Sequence, residues 1–126
     1  MADGLVRELH ADACAISRVI GDVLILVAEQ VHDGAGLQQG QGYLVSDFPQ
    51  TAEVLQTRQP RALTLDDADL DPAEALILRE HGFGALVMLP LDLNGIAWGL
   101  VEVYRVERRP FTEAEIRLAG ELIHVT

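Results

Sequence analysis

The stretch from Gly84 to Tyr104, GALVMLPLDLNGIAWGLVEVY, restricts the fold more than any other. Two apolar runs flank Asn94-Gly95, the dipeptide preferred by a type I′ turn because both central residues need positive φ. The spacing predicts an antiparallel hairpin of Ala85–Leu91 with Ile96–Tyr104. A two-residue turn sets Leu91 opposite Trp98, Leu89 opposite Leu100 and Val87 opposite Glu102. A four-residue loop slides the pairing by two positions and keeps each residue on its face. One face then carries Val87, Leu89, Leu91, Trp98, Leu100, Glu102 and Tyr104. The other carries Leu86, Met88, Pro90, Ala97, Gly99, Val101 and Val103. Both are largely apolar, so the hairpin belongs mid-sheet with a layer on each side. The small residues of the second face admit close helices, and the bulkier, mixed first face suits a ligand-sized cavity. Pro90, which has no amide hydrogen, falls opposite Gly99 at a site where no ladder donor is needed.

At 126 residues, 49% hydrophobic and 23% charged, the chain is long enough for one globular domain with a real core. Its net charge of -11 argues against a duplex nucleic-acid partner or an anionic membrane surface, both of which require a positive face. All nine basic residues are arginine, which excludes lysine chemistry. The single cysteine, Cys14, excludes an internal disulfide framework and a cysteine zinc site within one chain. No apolar run is long enough to span a bilayer and no signal peptide opens the chain, so a cytoplasmic location is expected.

Along the chain, Asp3–His10 reads as the last turns of a helix, with Leu5, Val6 and Leu9 on one side. Ala13–Val19 and Val23–Val31 form a second hairpin about Gly21-Asp22. Cys14, Ile16 and Arg18 share one face of its first strand; Ala13, Ala15, Ser17 and Val19 share the other. His32–Asp47 is a glycine-rich loop. Gly34-Ala35-Gly36 begins a phosphate-loop pattern, but Gln39 stands at the third glycine position and no GKS or GKT follows. A mobile lid or a plain connection is expected there. Asp47 is expected to cap a helix that runs to about Arg58, with Pro49 in its first turn and Thr51, Val54 and Leu55 inward. Pro60 stops it, and Arg61–Leu65 is a short edge strand. Asp67, Asp69 and Asp71 open like a calcium loop, but Pro72 replaces its glycine and Leu78 its closing glutamate. Asp71-Pro72-Ala73-Glu74 reads instead as a capping box for a helix ending at His81-Gly82. Thr112 and Glu115 form a second capping box, stapled by Phe111 and Ile116, and that helix runs through Ile123.

The second half of the chain resembles the GAF domain family. The resemblance rests on Arg79–Leu91 (REHGFGALVMLPL), Asn94-Gly95, Trp98–Val103 (WGLVEV), and Arg109-Pro110-Phe111-Thr112 with Glu115; Tyr43–Gln59 is similar to GAF modules of bacterial signalling proteins. It implies an α+β fold, GAF/PAS-like, with an antiparallel sheet of five or six strands in the order 2-1-5-4-3. Terminal helices cover one face and often dimerise; helices and loops cover a pocket on the other. Residues 1–126 are thus expected to be one such domain, part of a longer signalling protein. The implied role is regulatory rather than enzymatic: a sensor that binds a small ligand and signals through its C-terminal helix to a linked output domain. The alternative is a dimerisation module that binds no ligand.

The resemblance also narrows the ligand. Tyr104-Arg105 stands where the cyclic-nucleotide subgroup has Asn-Lys, and Glu115-Ile116 where it has Asp-Glu, although Phe111 is kept. Bilin-binding relatives attach their chromophore through a cysteine in the later half, and Cys14 is on the first strand. Sulfoxide reductases of this fold need several cysteines. Haem-binding relatives place a histidine before the Pro-Leu strand, where His81 lies, but His81 beside Gly82 is explained as a cation at a helix C-terminus. No cofactor and no metal are therefore expected, with a haem-binding redox or gas sensor that uses His81 as the minor alternative. The candidate ligand-binding residues are Ile16, Arg18, Tyr43, Phe48, Thr51, Leu55, Leu89, Trp98, Leu100 and Glu102. A carboxylate in an apolar strand needs compensation, and Arg18 on the neighbouring strand is the expected partner of Glu102. A homodimer is expected through the terminal helices, with Leu118, Leu122 and Val125 lying beyond a core-facing Ile116, Ala119 and Ile123.

Overall fold

Runs of β-branched and apolar residues broken at turn dipeptides pair into one sheet. The computed structural model describes residues 2–31 and 42–124. In chain order it has helix α1 (Ala2–Glu8), strands β1 (Ala13–Ile20), β2 (Val23–Val31) and β3 (Gly42–Leu44), helix α2 (Pro49–Thr57), strand β4 (Arg61–Thr64), helix α3 (Pro72–His81), strands β5 (Ala85–Leu93) and β6 (Ile96–Arg105), and helix α4 (Glu113–His124). The six strands lie in the order β3-β2-β1-β6-β5-β4, and every pairing is antiparallel. Without the short edge strand β3 this is the expected five-strand order. The loop for which a lid was considered falls largely on residues 32–41, outside the described residues.

Each face of the sheet carries its own core. On one, Leu5, Val6 and Leu9 at α1 and Phe111, Ala119 and Ile123 around α4 pack on Cys14, Val87, Leu89, Leu91, Val101 and Val103. On the other, Val54 of α2 and Leu78 of α3 pack on Ala13, Ala15, Leu24, Leu26, Leu86, Met88, Leu100 and Tyr104. Leu118 and Leu122, expected beyond the core-facing side of α4, are half-buried against the first core. Val125 lies outside the described residues.

The Asn94-Gly95 turn forms as its residues dictate, with φ of 52° and 79°, and sets Leu93 opposite Ile96 and Asp92 opposite Ala97. Beyond that point the expected register fails. A bulge shifts the pairing by one residue, so that Leu91 faces Gly99, Pro90 faces Leu100 and Met88 faces Glu102. One extra residue in a strand reverses which side chains share a face. The expected grouping of Val87, Leu89 and Leu91 with Leu100, Glu102 and Tyr104 is therefore wrong. Leu86, Met88 and Pro90 accompany them instead.

Helix ends follow local chemistry, with one exception. Asp71 Oδ1 accepts from the amides of Ala73 and Glu74, and Gly82 closes α3 at φ 75°. Thr112 Oγ1 accepts from the Glu115 amide while Glu115 Oε1 accepts from the Thr112 amide, completing a reciprocal box. Asp47 does not cap α2. It ends a 3-10 turn, Val45–Asp47, and Phe48 takes the cap position with no side-chain bond. Gln50 is buried and tied to the next helix: its Nε2 donates to Asp69 O at 2.9 Å, and its Oε1 accepts from the Asp71 amide at 2.8 Å.

On the α1/α4 face, Arg105 is 1% exposed. Its Nη2 donates to Leu9 O at 2.7 Å and pairs with Glu115 Oε2; its Nη1 reaches Arg109 O and Pro110 O at 3.4 and 3.3 Å. The guanidinium lies over the Phe111 ring at 3.9 Å. Burial alone would raise the Glu115 carboxyl, but hydrogen bonds from Arg105 and Thr112 hold it below its ordinary value.

Two substitutions test these constraints. Arg105→Ala strips the only cation from three carbonyls and a carboxylate and leaves a cavity; urea unfolding is expected to show a loss of about 3–5 kcal/mol. Gly99 lets β6 approach β1, since an added Cβ would sit 2.2 Å from Ser17 O. Gly99→Ala is expected to cost about 1–3 kcal/mol, and a neutral result would show that the two strands can separate freely.

Candidate functional site

The sheet face under α2 and α3 holds a small cavity. Ala15 and Ser17 of β1, Leu24 and Leu26 of β2, and Glu102 and Tyr104 of β6 form its floor; Tyr43, Phe48, Thr51, Glu74 and Ile77 form its walls and roof. Alternation along the strands explains the floor, because residues two apart point the same way. Its volume is about 40 Å³, room for a water or a small polar head, since a water needs upwards of roughly 10–15 Å³. The ring of Tyr43 meets that of Phe48 edge-on at 6.0 Å.

Two carboxyl groups share this apolar chamber. Thr51 Oγ1 donates to Glu74 Oε1 at 3.1 Å, and the Tyr104 hydroxyl donates to Glu102 Oε2 at 3.0 Å. Burial pushes Glu74 up to about 8; the charge of Glu102 adds to this, and the Thr51 bond offsets part of it. Burial likewise pushes Glu102 up to about 7 against the opposing effect of the Tyr104 bond. Tyr104 is raised well above its ordinary value, first by burial and then by Glu102 and Glu74. Tyr43 is raised by burial, then by Glu102 and Glu80. Among the described residues, no arginine or histidine lines the cavity.

Of the residues expected at the site, Tyr43, Phe48, Thr51 and Glu102 meet at the cavity. Leu100 and Leu55 lie on the same side of the sheet but in the surrounding core. Ile16, Leu89 and Trp98 pack on the opposite side, against the α1/α4 core. Arg18 is on that side too. It pairs with Gly99, whereas Ala15 is the β1 residue opposite Glu102, and its guanidinium stands 5.7 Å from the centre of the Trp98 ring. The expected Arg18–Glu102 pair therefore does not form. Arg18 is three residues from Ala15, so strand alternation turns it to the other face. Trp98 joins it there because it is the extra residue of the bulge. His81 is outside the cavity lining. Its Nδ1 lies 3.0 Å from Ile77 O, and its ring stacks on Phe83.

Sequence reasoning missed Ala15, Ser17, Leu24, Leu26, Ile77 and Tyr104 of the lining and, most consequentially, the second acid, Glu74. Its place in Asp71-Pro72-Ala73-Glu74 assigns it to the cap, but Gln50 takes the Asp71 amide, and Glu74 turns inward, 3% exposed. The available signal was its spacing: Glu74 and Leu78 are one helical turn apart, on the face that packs on the sheet. Among the described residues, no group of three histidine, cysteine or acidic side chains is placed to hold a metal ion, and no helix is long and apolar enough to cross a membrane.

The raised carboxyls have a consequence for stability. Each holds a proton in the folded chain that the unfolded chain releases near its ordinary value of 4.5. Their stabilising contribution is complete below that value and is lost as pH rises through about 7 to 8. The thermal midpoint of the chain is expected to fall across that window relative to a Glu74→Gln, Glu102→Gln variant, whose amides do not ionise. Parallel melting profiles for the two proteins between pH 6 and 8.5 would show that the acids are not perturbed (measured by circular dichroism).

Comparison with known proteins agrees with this geometry. The family model described as GAF domain matches residues 1–124. The phycocyanobilin-bound GAF domain of a cyanobacterial phytochrome superposes with a TM-score of 0.80 at 19% identity, covering 95% of this chain and 74% of that one. The GAF domain of a two-component sensor histidine kinase from Bacillus halodurans gives 0.77 at 14% identity, with 96% and 84% covered. The chromophore-binding domain of a Stigmatella aurantiaca bacteriophytochrome gives 0.77 at 20% identity; 97% of this chain is covered, and it spans 48% of that longer chain. No curated protein sequence matches the chain.

Proposed function

The chain belongs to the GAF domain family, and from that membership and its cavity we propose that it is a regulatory sensor module. It binds a small ligand between the sheet and α2–α3 and passes the bound state to an output domain through α4. The observation that carries this reading is the wiring of β6. Glu102 and Tyr104 face the cavity, while the next residue, Arg105, grips Glu115 of α4 from the other side of the same strand. A ligand that moves the end of β6 thereby acts on the start of the output helix.

Several features favour a ligand other than those of the structural neighbours. The cavity of about 40 Å³ is far smaller than a tetrapyrrole. Cys14 is buried on the α1/α4 face, and burial pushes its thiol up to about 12, which disfavours a thiolate. Among the described residues, the cavity lining offers no cation for a phosphate. The alternative, a dimerisation module with a self-filled pocket, fits less well, because polar groups line a space that apolar side chains would otherwise fill.

A thermal-shift screen of small metabolites tests the proposal, since a ligand of the folded state raises the midpoint. Hydrogen exchange then reads transmission. A stabilising compound is expected to slow exchange in α4 as well as around the cavity. Stabilisation confined to the cavity, with α4 unchanged, would remove α4 as the output element.

A further inference from the structure

We propose that the cavity takes a ligand with a cationic nitrogen head, an ammonium or guanidinium group, held between Glu74 and Glu102 with Ser17 accepting a further N–H. This rests on the sensor reading and names its ligand class.

The hydrogen-bond balance of the chamber carries the inference. Thr51 and Tyr104 each spend their hydroxyl hydrogen on one oxygen of a carboxyl. The second oxygens, Glu74 Oε2 and Glu102 Oε1, receive no bond from the described residues. Ser17 is 5% exposed, lines the cavity and makes no side-chain hydrogen bond with the described residues. Glu74 and Ser17 are buried and Glu102 is half-buried, and all three line one space where an entering donor can reach them. A single head that serves these acceptors together must offer several N–H groups. A phosphate or carboxylate offers only acceptors and meets two acids, with no arginine or histidine among the described residues of the lining. A guanidinium or ammonium head satisfies the acceptors and cancels the charge, and a guanidinium fits a carboxylate through parallel bonds. Tyr43 and Phe48 supply aromatic faces that suit a cation. The cavity volume admits such a head but little more, so the rest of the ligand would extend outward between the walls.

The ionisable groups around the site are Glu74 from α3, Glu102 and Tyr104 from β6, and Tyr43 from β3, with the charges of Asp71 and Glu80 nearby. Burial holds protons on both acids near neutrality, and at Glu74 the charge of Glu102 adds to it. A cation binds the ionised forms, so its binding displaces protons, and affinity rises with pH.

The test uses the whole chain, with methylguanidine and methylammonium as probes, in isothermal titration calorimetry at pH 6 and 8.5. Saturable binding is expected for at least one probe, on the order of tenfold tighter at the higher pH and accompanied by proton release that scales with buffer ionisation enthalpy. Glu74→Gln and Glu102→Gln are each expected to weaken it by at least about tenfold and Ser17→Ala by less. Glu121→Gln, on the exposed side of α4, should leave it unchanged and so controls for loose attraction to an acidic chain. The pH arm needs no variant and stands if a substitution impairs folding. Absence of saturable binding, affinity indifferent to pH, or equal weakening by Glu121→Gln and Glu74→Gln would overturn the assignment. A neutral or anionic compound from the thermal screen that occupies the cavity while both cations are inert would overturn it too, but would leave the sensor reading intact. A cavity that takes no compound of any charge would bring down both.

Discussion

Arg105 is the residue on which the two ends of the chain depend. A guanidinium at 1% exposure is costly to desolvate, and it is held only because its partners surround it: Leu9 O just beyond α1, Arg109 O and Pro110 O in the loop after β6, Glu115 in α4 and the ring of Phe111. These partners come from segments that are far apart in the chain and lie outside the sheet. Helix α1 is seven residues long, too short to persist without tertiary support. The loop carbonyls lie outside any ladder. By collecting these acceptors around one charge, the protein fixes both terminal helices on one face of the sheet. Backbone bonds at the same corner add to this: the Asp12 amide donates to Tyr104 O, and the Val106 amide donates to Asp12 Oδ2.

The two faces of β6 divide the labour of the domain. Val101, Val103 and Arg105 meet the terminal helices; Leu100, Glu102 and Tyr104 meet α2, α3 and the cavity. The division follows from the period of a strand, which sends successive side chains to opposite sides. It also sets Tyr104, which lines the cavity, covalently next to Arg105, which anchors the terminal helices.

Much of this architecture was legible in the sequence because its signals are local. Asn94-Gly95 specifies its turn, Gly82 ends α3 and Thr112 with Glu115 starts α4, each through backbone geometry or hydrogen bonds within a few residues. The site was less legible for two physical reasons. The bulge near Trp98 inserts one residue with no signature of its own, and that residue reverses the face of everything beyond it on the partner strand. The competing use of Gln50 frees Glu74 from the capping box, a choice made by a helix over twenty residues earlier in the chain. Tyr43, Phe48, Thr51 and Glu102 do come together at the cavity, each from a different segment of the chain. Arg18 was matched to Glu102 by charge, and charge does not override the alternation that separates them.

The same alternation explains why the acid pair is left without a cation. Arg105 follows Tyr104 directly, yet its side chain leaves from the opposite face, and the sheet stands between it and Glu102. On the helix side the buried charge is met by a carboxylate and three carbonyls. On the cavity side the described residues meet the acids with hydroxyls, which only partly offset the effect of burial in holding protons on them. A fold selected for stability alone would fill that chamber with apolar side chains, since paired or apolar interiors cost less than unpaired acids. Glu74 and Glu102 are thus a local expense that the packing of the sheet does not require. Such expenses concentrate where a protein binds something, because the binding partner supplies the compensation that the chain withholds.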